Sequence, residues 1–179
     1  MDIINFISKA LSVMTVFSQA FLLVGLLALF GVLAGFGSHL QDFIKRRAAV
    51  LSLIVASTAI LGSLFYSEIA GYNPCELCWY QRIAMYPLLI LLSMSMLRRD
   101  KAALDYSLVL ALLGLIISLY HNYLFFGKSS LGLCAADGNG VSCLVQYVTE
   151  FNYITIPVMS LTAFLLIIFF LIIGRRRDS

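Results

Sequence analysis

Four stretches of this chain carry no Asp, Glu, Lys or Arg: between Lys9 and His39, Arg47 and Glu68, Asp105 and Lys128, and Glu150 and Arg175. Each runs for about 20 residues or more, enough to cross a hydrocarbon core of about 30 Å as an α-helix. A fifth uncharged stretch, Ile83 to Leu97, is short by itself. It reaches spanning length only if it begins near Cys78 and takes Arg82 inside, at the interface. The pattern therefore predicts five spans, at about 10–38, 48–67, 75–97, 105–126 and 153–174, with residues 1–9 as a short outer tail. Glu68 to Pro74 reads as a brief loop. Pro87 falls inside the third span and predicts a kink there, and Pro157 falls in the first turns of the last.

Composition agrees. Of 179 residues, 61% are hydrophobic and 12% charged, where a soluble domain would carry about a quarter charged. The basic residues give an orientation. Lys45, Arg46 and Arg47 share one connection, Arg98, Arg99 and Lys101 another, and Arg175, Arg176 and Arg177 form the tail; these are nine of the twelve. They occupy alternate connections, so the positive-inside rule places all three in the cytoplasm and the N-terminus outside. The net charge of +3 is then topological and is no nucleic-acid footprint.

All four cysteines, Cys75, Cys78, Cys134 and Cys143, lie in or beside the two segments this orientation turns outward. Disulfides persist on the oxidising side of a membrane, so cysteine placement and charge placement agree independently. No internal repeat, heptad pattern or linker divides the chain, which reads as one helical bundle. Gly31-x-x-x-Gly35 in the first run suits close helix packing, although glycine is common in membrane helices in any case.

The chemistry concentrates in Asn73-Pro-Cys-Glu-Leu-Cys-Trp-Tyr-Gln-Arg82. If Pro74 opens a helix, Cys75, Cys78 and Arg82 fall at i, i+3 and i+7, on one face. The helix N-terminus and Arg82 would both favour a thiolate there. Four cysteines admit a zinc site, two structural disulfides, or a redox relay. Eight residues separate Cys134 from Cys143, which lacks the tight knuckle spacing of zinc sites. A Cys-x-x-Cys loop is too small to constrain an unfolded chain much, whereas small exposed disulfides are the labile ones. The relay reading gives each pair a task. Cys134 and Cys143, in a turn-rich loop of Gly, Asn and Asp, supply access. Cys75 and Cys78, at the lipid boundary, supply activation next to a lipid-soluble electron acceptor.

Arg82, about a turn inside the boundary, either snorkels to the headgroups or stabilises a thiolate and a reduced acceptor. His121, at similar depth in the fourth span, is either a satisfied structural residue or a donor to a bound headgroup.

On these residues the chain resembles the DsbB/BdbC family of membrane disulfide-bond formation proteins. The resemblance is carried by Pro74-Cys-Glu-Leu-Cys-Trp-Tyr-Gln-Arg82 with Ile-Ala-Met-Tyr-Pro87-Leu, then Leu119-Tyr-His121, Gly140-Val-Ser-Cys143-Leu and Ile154-Thr-Ile-Pro157. It covers roughly residues 48–174. It implies an all-α integral membrane protein, a four-helix transmembrane bundle at 48–179. To this the chain adds an N-terminal transmembrane helix and cytoplasmic connection at 1–47, where the family usually has four spans beginning in the cytoplasm. It further implies a thiol:quinone oxidoreductase of the plasma (inner) membrane, with both cysteine loops outside and the C-terminus in the cytoplasm. Such an enzyme reoxidises a thioredoxin-fold, DsbA-like dithiol partner and passes the electrons to a membrane quinone, ubiquinone or menaquinone.

By the same resemblance, the partner attacks the Cys134–Cys143 disulfide, with Cys134 forming the mixed disulfide. Electrons then reach Cys75–Cys78 through a transient Cys75–Cys143 bond. Cys78, beside Arg82, reacts with the quinone, and His121 stands near its ring. Vitamin K epoxide reductase-like enzymes place their loop cysteines before the Cys-x-x-Cys, opposite to the order here. The reading from a different class is a non-enzymatic membrane scaffold or transporter subunit with structural disulfides.

Overall fold

The computed structural model describes residues 2–29, 34–98, 100–127, 143, 145 and 147–175. The chain forms five long helices, α1 (Asp2–Leu29), α2 (Ala34–Leu64), α3 (Glu76–Arg98), α4 (Lys101–Gly127) and α5 (Ile156–Arg175). All five are long and apolar enough to cross a membrane. Among the described residues no strand forms; a single antiparallel bridge joins Glu150 to Ile154. Phe151 and Asn152, two of the three residues between them, take positive φ, 50° and 65°, the left-handed conformation by which so short a loop reverses the chain.

The first span departs from expectation. Residues 2–9, expected as a short tail, are helical and continuous with α1, and α2 already begins at Ala34, inside the stretch assigned to the first span. Lys45 to Arg47 likewise lie within α2. Charge-free stretches mark the hydrocarbon region, whereas backbone hydrogen bonding carries a helix past both of its boundaries. The packing expected of Gly31 concerns a position outside the described residues.

Helices α2 to α5 form the bundle. Its core joins Ala56 of α2, Leu88 and Leu92 of α3, Ala111 of α4, and Phe164 and Ile167 of α5, all buried. Helices in lipid gain little from apolar burial as such, so close approach decides the contacts. At Gly114 the ring of Phe164 occupies the space a Cβ would fill, and at Gly174 the methyl of Ala48 lies 2.5 Å from that position. Large apolar side chains such as Leu61, Ile83, Ile90 and Ile116 point outward, where lipid replaces water.

Helix α1 lies against α5 and α2. Phe21 meets the rings of Phe169 and Phe170 at 6.2 and 5.9 Å. Gln19 donates to Thr162 at 3.2 Å and accepts from the Tyr153 hydroxyl at 3.1 Å. Ser8, Ser12 and Thr15 share the inner face of α1 and are buried. Ser12 and Thr15 satisfy their hydroxyls on the carbonyls four residues back, both at 2.8 Å.

Candidate redox site

The C-terminal end of α2, the start of α3, the end of α4 and the start of α5 converge on one end of the bundle. There α2 loosens into a π-helical turn, Phe65–Ile69, a form often found at functional sites. Gly71, with φ of 70°, then turns the chain out of the helix in a conformation that favours glycine.

Four residues later the chain reaches Cys75. Pro74 does not open α3. The helix starts at Glu76, and the Cys75 carbonyl accepts its first bond, from Trp79 N–H at 3.2 Å. Cys75 is thus the N-cap, which sets its sulfur at the N-terminus of α3. The expected common face is real: the two sulfurs lie 3.1 Å apart, both as free cysteines.

His121 completes this cluster. It is 2% exposed, with Nε2 3.8 Å from the Cys75 sulfur and Nδ1 3.3 Å from the Gln81 amide nitrogen. With Gln81 donating to Nδ1, the ring proton sits on Nε2 and faces Cys75. The neighbouring Asn122 locks α4 to α5, donating to Ser118 O at 2.8 Å and Pro157 O at 2.9 Å. The Cys78 thiol, donating across 3.1 Å, holds the Cys75 thiol down to about 4. Burial opposes this, and His121 and the Cys78 N–H reinforce it.

Cys143 is disulfide-bonded and 4% exposed. Its sulfur, that of Cys75 and a His121 nitrogen all lie within 4.8 Å of one another. Three such donors resemble a metal cluster, but the Cys143 sulfur is already committed to its disulfide. The accessible-loop expectation does not extend to Cys143, which packs with Leu77 and Leu124 beside Cys75. Cys134 lies outside the described residues. The two segments meet again through a tyrosine stack: Tyr72 lies 5.9 Å from Tyr66 and 4.6 Å from Tyr147, with rings nearly parallel.

Arg82 does not snorkel. It is 7% exposed, donating from Nε to the Ser63 hydroxyl and from Nη2 to the Ser63 carbonyl, both at 2.8 Å. Its guanidinium also lies 5.2 Å from the centre of the Trp79 ring. Among the described residues no carboxylate pairs with it, so a positive charge is buried against neutral partners.

Two cavities meet at this point. The smaller, about 60 Å³, is lined by Cys75, Cys78, His121 and Cys143. The larger, about 220 Å³, lies among α1, α2, α3 and α5 and is walled by side chains such as Met14, Thr58, Met85 and Ala163. Ser63, Tyr66, Cys78, Arg82 and Ile156 line both. His121 lines only the smaller, on the Cys75 side, away from the apolar chamber.

The family model described as "Disulfide bond formation protein DsbB" matches residues 45–174. The chain belongs to the DsbB family. It is 45% identical over 140 residues to "Disulfide bond formation protein C" of Bacillus subtilis (strain 168), covering 75% of this chain and 99% of the relative. It is 46% identical over 116 residues to "Probable disulfide formation protein C" of Halalkalibacterium halodurans, covering 65% of this chain and 84% of that protein. No solved structure matches. A role in disulfide bond formation, an oxidoreductase chemistry of thiols, follows from the family, as does the integral multi-pass membrane setting. The family match begins at residue 45, so α1 lies outside it.

Sequence reasoning passed over Ser63, Tyr66 and Gln81. A signal existed for Gln81, a polar side chain next to Arg82 in an apolar run. Ser63 and Tyr66 carry none, because only helix packing brings the end of α2 against α3.

Proposed function

We propose that this protein is a thiol:quinone oxidoreductase that reoxidises a thioredoxin-fold dithiol partner. One observation carries the reading: among the described cysteines, Cys78 alone lines both the disulfide cluster and the apolar cavity. A sulfur there can exchange disulfides on one side and meet a lipid-soluble acceptor on the other. The cavity volume, about 220 Å³, exceeds the about 150 Å³ that suffices to hold a benzene ring, and its apolar wall with one buried cation suits a ring with polar edges.

The relay runs in balanced steps. The partner thiolate attacks Cys134, forming a mixed disulfide and releasing the Cys143 thiolate. That thiolate attacks Cys75 of an oxidised Cys75–Cys78 pair, forming a Cys75–Cys143 bond and releasing the Cys78 thiolate beside Arg82. The partner's second thiol frees Cys134, which closes again on Cys143 and leaves a Cys75–Cys78 dithiol. That dithiol gives two electrons and two protons to the quinone, yielding a disulfide and a quinol. The proximity of Cys75, His121 and Cys143 supports the second step, since the leaving sulfur is released next to its target. The cysteine-bearing end then faces outward, where client proteins acquire disulfides.

The test is anaerobic quinone reduction by the purified protein supplied with a reduced thioredoxin-fold dithiol. Wild type should turn over, and Cys78→Ser and Cys143→Ser should each abolish it. Wild type that reduces neither ubiquinone nor menaquinone analogues, with its disulfide intact, would overturn the reading.

A further inference from the structure

Reduction of the Cys143 disulfide would leave four soft donors around one small space. Cys75, Cys78, His121 and Cys143 all line the cavity of about 60 Å³, which exceeds the space one water-sized ion needs. The sulfurs of Cys75 and Cys143 and a His121 nitrogen lie within 4.8 Å of one another. From the Cys75 sulfur, the Cys78 sulfur is 3.1 Å away and His121 Nε2 3.8 Å. Zinc–ligand bond lengths place neighbouring sulfur and imidazole ligands of a tetrahedral site about 3.6–3.8 Å apart. Shifts of about 1 Å therefore separate this cluster from a zinc site of three cysteines and one histidine. With the disulfide closed, Cys143 offers no thiolate and the donor set is incomplete.

The surroundings suit such an ion. Zn²⁺ with three thiolates carries one net negative charge, and the buried cation Arg82 lines the same cavity to offset it. Gln81 lies 3.3 Å from His121 Nδ1. With its amide turned over, Gln81 accepts from Nδ1–H and leaves Nε2 free to ligate, the support that metal-bound imidazoles ordinarily have. The cavity also reaches the surface, because Asn73, Val145 and Tyr147 line it and are exposed. We propose that the fully reduced protein binds one Zn²⁺ through the thiolates of Cys75, Cys78 and Cys143 and through Nε2 of His121. Thiol protons leave to solvent and no oxidation state changes. The site goes beyond the quinone reading and stands without it. A ligated thiolate neither attacks nor leaves, so zinc holds the reduced cysteines out of disulfide exchange until it is removed.

The experiment uses the full chain in detergent, reduced, desalted without oxygen and titrated with Co²⁺ and then Zn²⁺. Reduced wild type should take up one equivalent of Co²⁺ with the intense visible bands of a four-coordinate site and sulfur-to-metal charge transfer, and Zn²⁺ should displace it. Oxidised wild type should show neither signal. Cys134→Ser, reduced alike, should match wild type, because Cys134 is no ligand. Cys143→Ser and His121→Ala should each weaken binding about a hundredfold or more, and Gln81→Leu about tenfold. Should His121→Ala fail to fold, Cys143→Ser, a single-atom change, decides. A reduced wild type without the four-coordinate cobalt spectrum, or wild-type affinity in Cys143→Ser, would overturn the proposal. Loss of binding in Cys134→Ser would overturn it too, in favour of a four-cysteine site. A protein that binds cobalt as described yet reduces no quinone would remove the quinone reading and leave this one standing.

Discussion

Arg82 is clamped to Ser63 by two hydrogen bonds of 2.8 Å, one to the hydroxyl and one to the carbonyl. The clamp aims a planar cation at the junction of two cavities and binds α3 to the end of α2. It leaves the charge without a counter-ion among the described residues, so any negative charge that develops on Cys78 or on a bound acceptor meets a waiting partner.

Arg82→Ala is therefore expected to raise KM for quinone about tenfold or more, since a hydrogen bond to a charged group contributes about 1.5–3 kcal/mol. Arg82→Lys should rescue it poorly, lacking the fork that grips Ser63 twice. Ser63→Ala removes one of the two bonds and should lie between wild type and Arg82→Ala. Quinone titrations of the four proteins check the order, and wild-type kinetics in Arg82→Ala would remove Arg82 from the site.

The pH behaviour of the reduced Cys75–Cys78 pair follows from the depressed Cys75 thiol. A group held down to about 4 is ionised throughout the neutral range and gains its proton only as pH falls through that value. The thiolate ultraviolet absorbance should thus stay flat from neutral pH down to about 5 and fall near 4. Cys78→Ala removes the principal donor, so the step should move up by about one to two units. A step near the ordinary thiol value in the wild-type protein would contradict this arrangement.

Packing between α4 and α5 rests on Gly114, where the fully buried Phe164 ring fills the space of a side chain. Gly114→Ala is expected to lower stability by about 1–3 kcal/mol through overpacking. At Gly62 the nearest atom to an added methyl is at 3.5 Å, an ordinary contact, so Gly62→Ala should be neutral or slightly stabilising. Thermal unfolding in detergent compares the two.

The number and nature of the helices were written in the spacing of charges, because lipid forbids unpaired charge over about 20 residues and leaves helix as the economical backbone solution. Cys75, Cys78 and Arg82 were legible for a related reason: a local helical period places them on one face with no help from the rest of the fold. Local spacing could not say that Cys75 caps α3, that Cys143 is buried beside it, or that His121 faces Cys75 and is oriented by Gln81. Nor could it say that Ser63 holds Arg82, or that α1 and Tyr66 wall the apolar cavity. These contacts join residues up to 68 positions apart, as with Cys75 and Cys143, and they depend on which helix faces pack together. In lipid that choice is made by small residues and ring shapes such as Gly114 against Phe164, which hydrophobic patterning does not register. The sequence determined the spans and the reactive motif, and tertiary packing decided what that motif touches.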